Sequence, residues 1–128
     1  MILLLFIYLF QPTSSPDGVA RSNTLVDAII YVESRNNPNA SNKREDACGV
    51  LQIRTIMIKD VNRILKRNKY TLNDRWNKTK SIQIFYIIQE YYSPNGTPER
   101  IARVWNGGPN GYKKPQTLAY WHKVKQQL

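Results

Sequence analysis

Apolar residues recur at helical spacing in five separate stretches of the 128-residue chain, and this periodicity most constrains its fold. Clusters of Pro, Gly and Asn separate the stretches, and strand-like alternation of useful length is missing. The third stretch is apolar over more than half its circumference, so we expect it to be central, with Tyr86, Tyr91 and Tyr92 in the core. The pattern therefore predicts one mainly α-helical domain with few or no strands. The predicted helices are 25–33, 51 or 55 to 66, 79–92, 97–105 and 116–127.

The N-terminal segment differs from the rest of the chain. Residues 1–10, MILLLFIYLF, form an uncharged apolar block that is too short to span a bilayer. The segment QPTSSPDGVA follows, and its GVA at 18–20 has the small residues of a cleavage site. We therefore expect residues 1–20 to be a secretory signal peptide, with membrane contact only through this segment, and residues 21–128 to be exported. An N-terminal helix of the folded domain is the alternative, because no Lys or Arg precedes the apolar block.

Charge and cysteine content bound the possible partners. The chain has 19 Lys and Arg against 9 Asp and Glu, a net charge of +10, so an anionic partner is expected. The bases follow no helix-turn-helix, zinc or RNP pattern, which argues against nucleic acid and favours an anionic cell-wall polymer. Cys48 is the only cysteine, which excludes an intrachain disulfide and predicts a buried, inert thiol. We expect a monomer with no metal and no cofactor.

One carboxylate, Glu33, ends the first predicted helix within YVESRNNPNA, positions 31–40. Helical spacing places it on the same face as Ile29 and Ile30, at the mouth of the core rather than in open water. Partial burial raises the pKa of a carboxyl group, which can then hold a proton near neutral pH and donate it to a leaving group. From position alone, the alternative is a solvated carboxylate or one paired with a nearby base such as Arg35.

Four segments in order carry a resemblance to a known family. They resemble the successive motifs of the lytic transglycosylase SLT domain, a member of the lysozyme-like superfamily, over about residues 25–126. The resemblance implies a lysozyme-like single domain with a substrate cleft, and peptidoglycan glycan strands as the partner. The four segments are ESRNNPNA (33–40), GVLQI (49–53), ARVWNGGP (102–109) and AYWHKV (119–124).

The resemblance also implies the roles of individual residues. Glu33 matches the catalytic acid, and the tyrosine of the C-terminal motif is expected close to it. Trp105 stands where the family usually has Tyr, a replacement that keeps an aromatic ring and loses a phenol hydrogen bond. Trp105 and Tyr112 are predicted to stack on sugar faces, with a loop-packing role as the alternative for Tyr112. The matches predicted to line the cleft or contact the substrate are Ser34, Gln52, Asn106, Gly107 and Tyr120.

The mechanism implied by the resemblance needs one carboxyl group. Ordinary glycosidases use two carboxylates, and no second acid lies in a matching motif here. In the family, the N-acetyl group of the substrate stabilises the cationic centre, and the deprotonated Glu activates the 6-hydroxyl group of the sugar. The resemblance therefore implies cleavage of the MurNAc-GlcNAc β-1,4 bond with formation of 1,6-anhydro-MurNAc, with Glu33 as general acid and then base. Two alternatives stay open: a hydrolytic muramidase that uses Glu45 or Asp46, and a non-catalytic peptidoglycan-binding accessory protein.

Overall fold

The computed structural model describes residues 24–128. The predicted signal peptide, residues 1–20, lies outside the described residues. All five predicted helices are present, and their ends lie within two residues of the predictions when the second helix is taken to start at Thr55. The helices are α1 Leu25–Ser34, α2 Thr55–Leu65, α3 Lys78–Tyr92, α4 Pro98–Gly107 and α5 Gln116–Lys125; short 3-10 helices lie at Lys43–Glu45, Leu72–Trp76 and Gly111–Lys113.

A small antiparallel sheet connects α1 to α2. Its strands are β1 Ser41–Asn42, β2 Ala47–Cys48 and β3 Ile53–Arg54, in the order β1-β2-β3. In the middle strand Cys48 pairs with Ser41 on one side and with Ile53 on the other. The protein is therefore a mainly helical, lysozyme-like single domain, and the prediction of few strands is confirmed.

Side-chain caps explain where several helices begin. The hydroxyl oxygen of Thr24 accepts a hydrogen bond from the Asp27 backbone N–H (3.2 Å) at the start of α1. The side-chain oxygens of Asn77 and Thr97 do the same at the starts of α3 and α4. Pro98 follows Thr97 at the first helical position. Proline is tolerated there because the backbone N–H that it lacks would have no acceptor within the helix.

Helix α3 contributes one buried face to the core, together with buried residues of α1, α2, α4 and α5. Ile84, Phe85 and Ile88 of this helix are buried, and the Phe85 ring packs edge-on against Trp105 of α4 at 5.0 Å between centroids. The prediction that the tyrosines of α3 are core residues is wrong for two of them. Tyr86 is 49% exposed because it points away from the face that carries the buried residues. Tyr91, in the last turn of α3, is 52% exposed, whereas Tyr92 is partly buried against the core.

A buried arginine braces the sheet, and the sequence pattern did not reveal it. Arg75 is 8% exposed, and its guanidinium lies 3.3 Å from the Asp46 carboxylate and 3.4 Å from the Ile53 carbonyl oxygen. Its own carbonyl group leaves no room beside Gly49, where an added Cβ would lie 1.9 Å from the Arg75 oxygen. Gly49 also has φ of 79°, which disfavours a side chain. The predicted burial of Cys48, next to Gly49, is confirmed.

No helix among residues 24–128 has both the length and the apolar character needed to cross a membrane.

Candidate active site

Glu33 lies in the last turn of α1, which ends at Ser34 because Arg35 adopts a left-handed conformation with φ of 52°. Burial of the Glu33 side chain is the main influence on its proton affinity and raises its pKa from 4.5 to about 7. A hydrogen bond from Tyr120 and the positive charge of Arg54 oppose this rise without cancelling it. A substantial fraction of Glu33 therefore carries a proton at neutral pH, as a general acid requires.

Tyr120 is the hydrogen-bond partner of Glu33. Its hydroxyl group donates to Oε1 of Glu33 at 2.8 Å, although the two residues are 87 positions apart in sequence. Burial, with the nearby Glu33 charge, raises the pKa of Tyr120 well above 10, so the phenol keeps its proton and stays a donor. The neighbouring residue, Trp121, points in a different direction on α5 and, like Tyr120, is partly buried against the core.

The Ser34 hydroxyl group and the side-chain NH2 of Gln52 both donate to backbone carbonyl oxygens. The Ser34 hydroxyl oxygen lies 2.8 Å from the Val50 carbonyl oxygen. The side-chain amide of Gln52 donates to the carbonyl oxygens of Gly49 (2.9 Å) and Ala40 (3.2 Å). These bonds fix the end of α1 and the loop after it against the 49–53 segment, so both residues position the site through the backbone.

The structure also contains a groove of about 650 Å³. One wall is a face of α2, and the other is the C-terminal end of α4 with the glycine-rich loop, including the exposed Asn106 and its neighbour Gly107. Glu33 and Tyr120 are not among the residues that line the groove. Arg54 connects the two features, because it lines the groove and its charge acts on Glu33.

The two aromatic residues predicted to stack on sugars occupy different environments. Trp105 is 8% exposed, packs against Phe85 and lines the groove. Tyr112 is 40% exposed, but its ring lies under the guanidinium groups of Arg100 (5.4 Å) and Arg103 (4.8 Å) and does not line the groove. The stacking role of Trp105 stays a prediction, and the contacts of Tyr112 with two arginines fit the loop-packing alternative.

The two acids considered as a second catalytic carboxylate both have partners. Asp46 accepts a hydrogen bond from the Thr55 backbone N–H at 2.9 Å, and this bond is the main reason that its pKa is lowered. Its other oxygen lies 3.3 Å from Arg75. Glu45 forms an ion pair with Arg54 at 2.7 Å. Both carboxylates therefore stabilise the turn between the sheet and α2.

Charged residues on the face of α2 that borders the groove were not predicted from the sequence pattern. Asp60 on this face accepts hydrogen bonds from Tyr92 (2.6 Å) and Arg63 (2.7 Å), and Lys59 lies beside it. No cluster of three or more His, Cys, Asp or Glu side chains suited to a metal occurs within residues 24–128.

Comparison with known proteins gives a consistent assignment. The family model of the transglycosylase SLT domain matches residues 17–128. The chain is 33% identical over 84 residues to "Lysozyme" of Magallana gigas, a match that covers 63% of this chain and 60% of that protein. It is 31% identical to "Invertebrate-type lysozyme 6" of Caenorhabditis elegans over 81% of this chain and 85% of that protein. It is 30% identical to "Lysozyme" of Ostrea edulis over 98% of this chain and 93% of that protein. No solved structure matches the chain significantly.

Proposed function

The chain belongs to the transglycosylase SLT domain family, and from this premise we propose that it is a lytic transglycosylase of peptidoglycan. The proposed reaction cleaves the β-1,4 bond between MurNAc and GlcNAc and leaves a 1,6-anhydro-MurNAc end. The observation that carries the proposal is the Glu33 carboxyl group, whose pKa is raised to about 7 by burial and which accepts a hydrogen bond from Tyr120. Such a group can both give and take a proton near neutral pH.

In the proposed mechanism, protonated Glu33 donates its proton to the glycosidic oxygen as the bond from C1 to that oxygen breaks. The N-acetyl group of MurNAc stabilises the positive charge that develops at C1. The Glu33 carboxylate then removes the proton of the 6-hydroxyl group, whose oxygen bonds to C1. Glu33 ends protonated as it began, and no water is consumed. Tyr120 orients the carboxyl by holding Oε1, which leaves Oε2 for proton transfer.

The partners of the remaining acids support this mechanism over hydrolysis. An inverting glycosidase needs a second carboxylate to activate water, and a retaining enzyme needs one as nucleophile. Glu45 and Asp46 are engaged with Arg54, Arg75 and a backbone N–H. A hydrolytic muramidase is the second candidate, because the curated relatives carry the name lysozyme. A non-catalytic accessory protein would have no need of a protonated, desolvated carboxyl group, which is costly to bury.

We also propose that the protein acts as a monomer outside the cytoplasm, where peptidoglycan lies. The apolar block at 1–10 with the GVA at 18–20 supports export through a signal peptide. Detection of a mature N-terminus near residue 21 in an extracytoplasmic fraction would test this part of the proposal.

Mass spectrometry of the fragments released from purified peptidoglycan tests the reaction. The anhydro-forming mechanism predicts muropeptides that are one water lighter than hydrolysis products, and Glu33→Gln is expected to release none. Glu90→Gln, on the exposed surface of α3, is the matched control and should retain activity. Reducing-end muropeptides would support the muramidase instead, and full activity of Glu33→Gln would refute both catalytic proposals.

A further inference from the structure

An open depression at the C-terminal end of α2 carries positive charge. It shares Lys59 and Arg63 with the groove and extends beyond the groove to Lys66 and Arg67. None of the described residues that line it is acidic. We call this surface the basic depression. Its polar lining residues are Lys59, Asn62, Arg63, Lys66, Arg67 and Asn68.

Most of the positive charge of the basic depression is available to a ligand. Lys59, Arg63 and Lys66 are four and then three residues apart, which places them on one side of α2 and its C-cap. Arg63 is already paired with Asp60 at 2.7 Å. Lys59, Lys66 and Arg67 are exposed and form no ion pair among the described residues. An anion could therefore contact three cations without breaking an existing ion pair.

The segment that carries Lys66 and Arg67 is held in place by Asn62. Lys66 ends α2 in a left-handed conformation with φ of 57°, so the chain turns back there. The Asn62 side chain donates to the Tyr70 carbonyl oxygen (2.8 Å) and accepts from the backbone N–H groups of Lys69 (3.1 Å) and Tyr70 (3.0 Å). Because this backbone is already fixed, a ligand would have less conformational entropy to remove on binding.

The composition of the basic depression fits a flexible polymer of phosphodiesters. Ammonium groups bind phosphate oxygens as point charges, and separate cations can contact successive phosphates of one polymer. None of the described lining residues is aromatic, so the surface offers no platform on which nucleic acid bases could stack. Its one apolar lining residue, Ile58, is buried, so the depression has no exposed apolar side chain to enter a lipid layer.

We propose that the basic depression binds an anionic envelope polymer that carries a phosphodiester in each repeat. The net charge of +10 indicates an anionic partner, and the depression gives that partner a defined surface. The choice of an envelope polymer rests on the proposed function, because that function places the protein at the cell wall. Lys66 and Arg67 do not line the groove, so a polymer bound there would hold the protein at the wall and leave the groove open.

Calorimetric titration of the full chain with poly(glycerol phosphate) at low salt tests the proposal without turnover. The double variant Lys66→Gln, Arg67→Gln removes two cations of the basic depression that lie outside the groove. Its affinity for the polymer should be about fivefold lower than that of the parent protein, the combined effect of two exposed charge pairs. Absence of measurable binding by the parent protein would overturn the proposal.

The double variant Lys123→Gln, Lys125→Gln is the matched control. Both lysines are exposed on α5 and lie outside the basic depression. This variant removes the same charge and should weaken binding by less than about twofold. Equal losses for the two double variants would overturn the proposal, because overall charge would then decide binding.

A second pair of variants covers a loss of stability. Lys66 and Arg67 lie at the C-terminus of α2, where positive charge also stabilises a helix, so the Tm of each double variant is measured. Lys59→Glu lies within α2 and is compared with Lys123→Glu. Binding by Lys59→Glu should be about three- to fivefold weaker than binding by Lys123→Glu, and equal binding would overturn the proposal.

Two further titrations identify the class of partner. Vesicles of phosphatidylglycerol and a single-stranded oligonucleotide are compared with poly(glycerol phosphate) at the same phosphate concentration. We expect the polymer to bind more tightly than either. Tighter binding of the vesicles or the oligonucleotide, with the same loss in the Lys66→Gln, Arg67→Gln variant, would overturn the proposal and indicate a membrane or a nucleic acid partner.

This inference and the proposed reaction fail separately. Release of anhydro-muropeptides by a protein that does not bind the polymer would overturn this inference alone. Polymer binding that depends on the basic depression, by a protein that releases no fragments from peptidoglycan, would support this inference and overturn the proposed reaction.

Discussion

Replacement of Glu33 by Gln should stabilise the protein at alkaline pH while it removes the proposed activity. The pKa of Glu33 is about 7 in the folded protein, against 4.5 as the ordinary value. At a pH between 4.5 and about 7, Glu33 holds a proton in the folded state but has released it in the unfolded state. Stability is therefore lost as pH rises through this window, because the folded protein is left with a buried charge.

The magnitude follows from the size of the pKa difference. A rise from 4.5 to about 7 corresponds to about 3 kcal/mol, a measurable part of the stability of a domain of this size. Glu33→Gln preserves the shape and the oxygen that accepts the Tyr120 bond, but it cannot become charged. The stability difference between variant and parent should therefore be about 3 kcal/mol more favourable to the variant at pH 8 than at pH 4.

Urea denaturation of both proteins at pH 4 and pH 8 measures this change. Other titrating groups are common to the two proteins and cancel in the comparison. Glu90→Gln is again the control for loss of an exposed carboxyl group. A change between the two pH values below about 1 kcal/mol for Glu33→Gln would refute the claim that burial dominates at Glu33. A change of the expected size would show that the acid is kept at a cost in stability, as functional groups often are.

Three further predictions concern the surroundings of the site. Tyr120→Phe removes a bond that favours charged Glu33, so the alkaline limb of the pH profile of kcat/KM should move up by about half to one pH unit; an unchanged or lowered limb would contradict this. Gly49→Ala should lower the free energy of unfolding by about 2 kcal/mol more than Gly108→Ala. Both glycines have positive φ, but of the two only Gly49 lies against another backbone group, the Arg75 carbonyl. Equal losses of stability in urea denaturation would contradict this prediction. Asp46→Asn should lower Tm at pH 7, and the difference should shrink below about pH 3.8, since the lowered pKa of Asp46 gives stability that is lost on protonation; a difference independent of pH would argue against the bond to the helix start.

Helix positions were predictable because they depend on local signals. Thr24 and Thr97 cap helices through their own hydroxyl groups, and Pro98 suits a first helical turn, so each acts within a few residues of its place in sequence. The position of Glu33 was also set locally, but position alone left a solvated carboxylate open, and the resemblance of the four segments indicated the role of Glu33. Its spacing from Ile29 and Ile30 places it on the buried face of one helix.

Other features depend on contacts between distant parts of the chain. The buried Arg75 brace joins a 3-10 helix to the sheet 29 residues earlier, and no periodicity marks an arginine as buried. The core predictions for Tyr86 and Tyr91 were wrong, because aromatic residues fit both core and surface. Only packing decides which ring face is covered.

The sequence by itself determined a mainly helical domain, an acid at the end of its first helix and the family to which both belong. Tertiary structure decided the chemistry of that acid. The pKa of Glu33 is set by burial, by a tyrosine 87 residues away and by the charge of Arg54. These influences come from residues that are close to Glu33 in space but distant in sequence, and only folding brings them together.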